Sequence, residues 1–267
     1  MSSEFAPKYA IVTASDSGIG AATALALARA GMDVGITWHS DQEGAEEVAR
    51  QARELGVNAV TAQFDATDLE DAGRVIDELA DALGGLDVFV NNAGGGGGQP
   101  FLEMSLDDWR STVALNLDGA FVGMQAAARR LRSQGAGGRI IAITSVHETQ
   151  PRVGSAAYVA AKHGLGGLVK TMALELGEFG ITVNAVAPGE IATPLNGMDS
   201  GDAENTHRPG IPLTRPGTAE EVAAVVAFLA SPATSYVTGA SWTVDGGMLQ
   251  MGPQAGSHME TDDWRKG

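Results

Sequence analysis

The chain has 267 residues, no cysteine, and 33 acidic against 17 basic residues, which gives a formal net charge of −16. The lack of cysteine excludes disulfide scaffolds, thiolate metal sites and cysteine nucleophiles, and the negative charge disfavours nucleic acid as a partner. No apolar run approaches the roughly 18 residues of a membrane span, and residues 1–7 lack the basic and apolar regions of a signal peptide. We therefore expect a cytoplasmic protein that acts on a small molecule, with no metal site and no membrane partner.

Short apolar segments alternate with helical ones along the chain. The predicted strands cover residues 8–14, 33–38, 57–64, 86–90, 139–144, 181–186 and 241–244. The predicted helices cover residues 21–30, 41–55, 69–83, 106–132, 156–179 and 219–230. This alternation predicts an α/β fold of Rossmann type, with a doubly wound, seven-stranded parallel sheet and helices on both faces. We expect residues 1–267 to form one domain, with a flexible substrate loop at about 188–217 and a polar tail at 250–267.

Glycine is unusually frequent, at 36 residues, which is nearly twice the average share of ~7 %. A hydrophobic content of 44 % argues against disorder, so the glycines indicate tight turns and close backbone approaches. One such turn, Thr-Ala-Ser-Asp-Ser-Gly-Ile-Gly at residues 13–20, joins the first predicted strand to the first predicted helix. Glycines at this place let a backbone approach a pyrophosphate at a helix N-terminus, although packing alone also explains a single glycine pair.

The end of the second predicted strand bears on the choice of cofactor. An acidic residue there binds the ribose 2′-hydroxyl of NAD, but this chain has Trp38, His39 and Ser40. No carboxylate at these positions repels a 2′-phosphate, and His39 and Ser40 can donate hydrogen bonds to one. We therefore favour NADP(H) and keep NAD(H) as the alternative.

The next two strand ends extend the predicted cofactor site. Asp65 follows the third strand, where its carboxylate can accept a hydrogen bond from an adenine amino group. Asn92, Ala93 and Gly94 follow the fourth strand, and Gly94 opens a run of five glycines that ends at Gly98. Such a run permits the close approach of a planar ring or forms a substrate rim.

Three residues further along carry candidate chemistry. Ser145 ends the fifth predicted strand, and Tyr158 and Lys162 are spaced i, i+4 on the following helix, which brings the phenol and the ammonium group to one face. A nearby cation favours the phenolate and lowers the pKa of a tyrosine. The Ser145 hydroxyl can orient and polarise a substrate carbonyl.

Along residues 8–248 the chain resembles a single-domain short-chain dehydrogenase/reductase. The resemblance rests on the Ser-Gly-Ile-Gly turn at 17–20, Asn-Asn-Ala-Gly at 91–94, Asn116, Ser145, Tyr158 with Lys162, Pro188-Gly189, and Val-Asp-Gly-Gly at 244–247. It implies that Tyr158 is the general acid/base, that Lys162 lowers its pKa and holds the nicotinamide ribose, and that Ser145 binds the carbonyl oxygen. It also implies that Asn116 holds a water in a proton relay. The cofactor supplies the hydride.

With the strand-end residues above, the resemblance implies cofactor contacts from Thr13, Ser15, Ser17, Gly18, Ile19, Gly20, Trp38, His39, Ser40, Asp65, Asn92, Ala93, Gly94, Tyr158, Lys162, Pro188, Gly189, Ile191 and Thr193. One departure is Ala14, where the family usually has glycine. We expect a negative φ at Ala14 and a modest adjustment of the turn.

The substrate is predicted less closely. Residues 37–40, 145–148 and 192–198 resemble acetoin/diacetyl-type carbonyl reductases, and the substrate-pocket candidates are Ser145, His147, Gln150, Val153, Tyr158 and Met198, of which the loop residues can equally be packing residues. A 3-oxoacyl-acyl-carrier-protein reductase is an alternative, with Arg129, Arg130 and Arg132 as candidate docking residues. An alternative of another class is a non-catalytic dinucleotide-binding sensor. The helix at 156–179 is apolar on most faces, and with the family resemblance it predicts a homotetramer.

Overall fold

The computed structural model describes residues 5–96, 98–199, 201–254 and 259–263. Gly97 of the glycine run and parts of the predicted tail, residues 255–258 and 264–267, lie outside the described residues. Among the described residues, no helix is both long and apolar enough to cross a membrane. The organisation of residues 1–267 as one domain stays a prediction.

Seven strands form one parallel sheet, as predicted. They are β1 (Tyr9–Val12), β2 (Asp33–Trp38), β3 (Ala59–Gln63), β4 (Val88–Asn91), β5 (Gly138–Ile143), β6 (Ile181–Pro188) and β9 (Ser241–Val244). Their order is β3-β2-β1-β4-β5-β6-β9, with every pairing parallel. All residues of β4, β5 and β6 are buried, as strands covered on both faces must be.

Helices cover both faces of this sheet, which confirms the predicted doubly wound fold. They are α1 (Gly18–Arg29), α2 (Gln42–Glu54), α3 (Leu69–Leu83), α4 (Leu106–Val113), α5 (Gly119–Gln134), α6 (Ala156–Leu176), α7 (Asp202–Asn205) and α8 (Ala219–Ala230). One buried cluster joins the sheet to α3, α5 and α6, and a second joins it to α1, α2 and α8.

The helix predicted at 106–132 is interrupted. Ala114–Asp118 forms a π-helical turn between α4 and α5, and it carries Asn116, which is fully buried. Single π turns inside helices are frequent at functional sites. The interruption is therefore a first structural indication of where the site lies.

The segment predicted as a loop at 188–217 contains short regular elements. β7 (Ile191–Ala192) pairs with β8 (Gly217–Thr218) in a small parallel sheet, so the two ends of the segment are joined. β8 leads directly into α8, where Thr218 and Glu221 form a capping box. The segment thus leaves the main sheet after Pro188, and the pairing of β7 with β8 holds its end in place where α8 begins.

Candidate active site

A cleft of about 1430 Å³ lies at the carboxyl ends of the strands. Its lining draws on the segments that follow β1, β2, β3, β4, β5 and β6. The strand order reverses between β1 and β4, and parallel sheets bind ligands at such a switch point. Typical small-molecule pockets measure roughly 300–1,000 Å³, so this cleft has room for a dinucleotide and a small substrate.

The glycine turn after β1 forms one end of the cleft. Ser17, Gly18 and Ile19 line it, and α1 begins at Gly18, so free backbone N–H groups are available to an anion there. At Gly20 an added Cβ would lie 2.1 Å from the Ala14 carbonyl oxygen. Only glycine therefore allows α1 to pack this closely against the turn.

The expectation for Ala14 is wrong. Its φ is +48°, in the left-handed region that glycine adopts without cost and that alanine adopts at about 1–2 kcal/mol. Two hydrogen bonds hold this conformation: its N–H donates to Thr37 Oγ1 (2.9 Å), and its carbonyl accepts from Asn92 Nδ2 (2.9 Å). The turn therefore has the backbone geometry that is usual for glycine, and the two hydrogen bonds offset the strain at Ala14.

Four predicted cofactor residues do not line the cleft: Thr13, Ser15, Gly20 and Trp38. Thr13 Oγ1 accepts from the N–H groups of Asn92 and Ala93, both at 2.9 Å. The Ser15 hydroxyl donates to the Val12 carbonyl at 2.7 Å and accepts from the Thr37 N–H at 3.0 Å. Because these groups are buried and engaged with backbone, they support the cleft from behind.

The part of the cleft beyond β2 and β3 is acidic. The predicted cofactor residues His39, Ser40 and Asp65 line this part. His39 Nε2 lies 3.6 Å from Asp65 Oδ2. Hydrogen bonds from Thr67 lower the pKa of Asp65. Asp16 also lines this part, and burial, with a smaller contribution from Asp41, raises its pKa. Asp16 is not among the predicted cofactor residues, although it lies in the turn at 13–20, just before the glycines.

Ser145, Tyr158 and Lys162 come together in the centre of the cleft. Ser145 Oγ accepts from the His147 backbone N–H at 3.1 Å, and its hydroxyl also hydrogen-bonds with the Tyr158 phenol, so the two hydroxyl groups lie side by side. Lys162 is buried, and its Nζ lies 5.5 Å from the centroid of the Tyr158 ring. It donates to the Ile143 carbonyl at 3.2 Å, which fixes the ammonium group behind the phenol.

The expected lowering of the Tyr158 pKa is not seen. Burial raises the pKa of the phenol above its ordinary value, and the interaction with Ser145 opposes this only in part. Burial also lowers the pKa of Lys162 to about 8, against a smaller effect of Glu148. The predicted direction is wrong because burial of the phenol outweighs the opposing hydrogen bond with Ser145. At neutral pH this arrangement holds a protonated phenol beside an ammonium group.

Asn116 lies behind the glycine run instead of in the lining. Its Oδ1 accepts from the Gly95 N–H at 3.0 Å, and its Nδ2 donates to the Gly95 carbonyl at 2.6 Å. An added Cβ at Gly94 would lie 2.9 Å from Asn116 Oδ1 and 3.2 Å from Lys162 Nζ. Gly94 and Gly95 thus form a thin wall between Asn116 and the cleft, and the water-holding role of Asn116 stays a prediction.

The remaining predicted residues all line the cleft. They are Asn92, Ala93, Pro188, Gly189, Ile191, Thr193, His147, Gln150, Val153 and Met198. Val153 is 98 % exposed, so it lies at the rim. The lining also includes residues outside the predicted site: Leu195, Met248, and Arg208 with Glu190, whose Nε and Oε1 atoms lie 2.6 Å apart.

Comparisons with known proteins agree with this geometry. A family profile described as enoyl-(acyl carrier protein) reductase matches residues 13–249. The uncharacterized oxidoreductase YohF of Escherichia coli (strain K12) is 52 % identical over 247 residues, covering 92 % of this chain and 98 % of that protein.

Two solved structures are similarly close. Acetoin dehydrogenase YohF from Salmonella typhimurium is 51 % identical, with a TM-score of 0.86 over 93 % of this chain and 100 % of that one. Acetoin dehydrogenase from Enterobacter cloacae is 50 % identical, with a TM-score of 0.88 over 94 % of this chain and 99 % of that one. The chain therefore belongs to the short-chain dehydrogenase/reductase family, a family of oxidoreductases that bind NAD(P)(H).

Proposed function

We propose that the protein is an NADP(H)-dependent carbonyl reductase that interconverts a small ketone and a secondary alcohol. The observation that carries the proposal is the meeting of Ser145, Tyr158 and Lys162 in one cleft, with the Ser145 hydroxyl hydrogen-bonded beside a buried phenol. A binding protein without turnover needs no such donor pair.

The residues act on the reacting oxygen. Tyr158 is protonated at neutral pH, since its pKa lies near 10 ordinarily and is raised further by burial. It donates its proton to the carbonyl oxygen during reduction and recovers it during oxidation. Ser145 donates a second hydrogen bond to the same oxygen, and the Lys162 ammonium group stabilises the phenolate that forms. The nicotinamide dinucleotide, when bound, supplies or accepts the hydride.

The cleft fits such a cofactor. The α1 N-terminus and the backbone from Ser17 to Ile19 would hold the pyrophosphate, while Asn92 to Gly94, Lys162 and Pro188 to Thr193 would hold the nicotinamide half. Because Gly94 has no Cβ, the backbone of the wall packs directly against Asn116 and Lys162.

The proposal includes a preference for NADP(H) over NAD(H) as the cofactor. It rests on His39 and Ser40, which can donate to a 2′-phosphate, while Asp16 and Asp65 oppose that charge. We expect His39→Asp to lower kcat/KM for NADPH at least 10-fold more than for NADH, since it replaces a donor with a like charge. Equal effects on the two cofactors would contradict the preference.

The acetoin dehydrogenases among the relatives, together with the apolar lining residues Leu195, Met198 and Met248, support a small ketone as substrate. A reductase of acyl-carrier-protein substrates is less well supported. Of its candidate docking residues, Arg130 pairs with Asp81 at 2.7 Å and Arg132 stacks on Phe179 at 4.6 Å. Both are engaged within the chain.

NADPH and NADH consumption with a panel of small ketones tests the proposal. We expect turnover with the wild-type protein and a loss of about 10²–10⁴-fold in kcat/KM with Tyr158→Phe, which keeps the ring and removes the proton donor. Cofactor binding without turnover of any ketone would favour the non-catalytic sensor.

We also propose a homotetramer. An apolar groove lies where α3, the π-helical turn, α5 and α6 meet, and it is lined by Leu69, Leu117, Asp118, Phe121, Val122 and Leu168. Phe121 in this groove is 45 % exposed, and exposed apolar side chains that lie together on a surface mark a site of protein association.

A further inference from the structure

A buried arginine lies at the amino end of the sheet, opposite the end that carries the cleft. Arg139 is the second residue of β5 and is 2 % exposed. The ring of Phe5 covers one face of its guanidinium group, with Cζ 4.0 Å from the ring centroid. A group that stays charged at every physiological pH is thus buried beneath an aromatic ring.

The guanidinium group has few partners. Among the residues that the structure describes, its one hydrogen bond joins Nη1 to the Gly138 carbonyl at 3.0 Å, and Nε, which is buried, has no partner. The neighbouring Asp87 carboxylate accepts from the N–H groups of Lys8 and Tyr9, at 2.7 and 3.1 Å. Burial lowers the pKa of Arg139, and no charge on the described residues opposes this. A buried charge without a counter-ion is costly to a fold.

A second unpartnered group lies beside the first. Thr182 on β6 is the register partner of Arg139 on β5, and residues paired in this way project to the same face of a sheet. Thr182 is 7 % exposed, and its buried Oγ1 has no hydrogen-bond partner in the described parts of the chain. The hydroxyl and Nε do not bond to each other, although both can donate. An anion beside them would accept from both groups.

We propose that Arg139 and Thr182 form a binding site for a small carboxylate anion at the amino end of the sheet, separate from the cleft. The anion accepts hydrogen bonds from Nε and Nη2, which form a planar fork that matches a carboxylate, and from the Thr182 hydroxyl. It neutralises the buried charge, so its binding stabilises the folded protein.

Thermal unfolding in acetate, compared with chloride at equal ionic strength, tests the site. A saturating nicotinamide dinucleotide is present throughout, so that acetate cannot act through the cleft. We expect a saturable rise of about 2–4 °C in the melting temperature at ten times the dissociation constant of acetate. Chloride cannot bridge the two nitrogens of the fork and should have a much smaller effect. An equal rise in both salts would overturn the proposal.

Three variants locate the effect. Arg139→Met keeps an apolar stem beneath Phe5 and removes the charge, so it should abolish the acetate response without lowering the melting temperature in chloride. Thr182→Val keeps the shape and removes the hydroxyl, so it should raise the apparent dissociation constant of acetate about 5–10-fold. Arg53→Met is the matched control, because Nε and Nη2 of Arg53 both donate to the Ala59 carbonyl, and its acetate response should equal that of the wild-type protein. A response that survives Arg139→Met would overturn the site.

The arginine side chain also gives a direct signal. The Nε–H resonance of Arg139, identified by its loss in Arg139→Met, should shift with acetate along the same saturation curve as the melting temperature. A resonance that does not move would overturn the proposal.

The chain's own Glu4, which precedes Phe5 in the sequence, is the other source of a carboxylate near this end of the chain. Glu4→Gln should leave the acetate response of the wild-type protein unchanged. If instead Glu4→Gln lowers the melting temperature and acetate restores it, while acetate has no effect on the wild-type protein, the site takes this side chain and the free anion is ruled out.

Discussion

Ala14 holds a left-handed conformation (φ +48°) at the turn that faces the cleft. Replacing it with glycine should raise the free energy of unfolding by about 1 kcal/mol, because the strain of 1–2 kcal/mol is relieved while glycine adds some chain entropy to the unfolded state. Denaturant unfolding of Ala14→Gly measures this.

The same substitution at an ordinary helical position is the control. Ala224 is exposed inside α8, and Ala224→Gly should lower the free energy of unfolding by up to about 1 kcal/mol. Opposite signs at the two positions are the expected result. Destabilisation of both variants would mean that the turn, with its bonds to Thr37 and Asn92, requires the alanine Cβ.

The buried charge of Lys162 destabilises the folded protein. Its pKa falls from 10.5 to about 8 in the folded protein, and each pKa unit corresponds to about 1.4 kcal/mol. Lys162→Met should therefore be more stable than the wild-type protein at pH 7, by about 2 kcal/mol once the lost bond to the Ile143 carbonyl is allowed for, although it should be inactive.

The pH dependence has a definite sign. Between pH 8 and pH 10.5 the unfolded wild-type chain binds more protons at Lys162 than the folded chain does. The free energy of unfolding of the wild-type protein therefore increases as pH rises. The advantage of Lys162→Met should shrink over this range. Unfolding measured at pH 7 and pH 10 tests it, and an advantage that grows with pH would contradict the assignment.

At the scale of elements, the π-helical turn Ala114–Asp118 positions the glycine wall through Asn116. Asn116→Ala removes the partners of the Gly95 N–H and carbonyl groups. We expect faster hydrogen exchange at the Gly95 amide, a lower melting temperature, and a kcat/KM for ketone reduction that falls about 10-fold or more as the wall loosens.

A second buried asparagine provides a matched control. Asn184 in β6 also bridges two backbone groups, the Val237 carbonyl and the Ala240 N–H. Asn184→Ala should lower the melting temperature to a similar extent but leave exchange at Gly95 unchanged. If exchange at Gly95 does not respond to Asn116→Ala, the turn does not hold the wall.

The elements and the central residues of the site could be predicted from the sequence, because apolar periodicity and strand-end residues report directly on a parallel sheet. The π turn could not, since the apolar pattern continues through residues 106–132 and carries no mark of a single inserted residue. The φ of Ala14 and the pKa of Tyr158 depend on bonds and burial contributed by distant segments. For the same reason, Thr13 and Ser15 read as ligand contacts in the sequence, although their hydroxyls bond to the backbone.

At the scale of the whole molecule, self-association should depend on the groove around Phe121. Phe121→Glu places a charge in that groove, so it should lower the particle mass in sedimentation velocity. Leu55→Glu is the control, because Leu55 is exposed to a similar degree, 44 % against 45 %, at the end of α2. A wild-type protein that sediments only as a monomer would refute the tetramer.

The cleft is completed by residues that are far apart in the chain. Gln150 Nε2 donates to the Gly252 carbonyl at 2.5 Å, across 102 positions, and Met248 adds to the lining. During synthesis, six of the seven strands can pair before β9 and these residues leave the ribosome. The cleft is therefore complete only after β9 and the segment up to Gly252 have joined the sheet, so ligands that need its whole lining bind after the other six strands have been made.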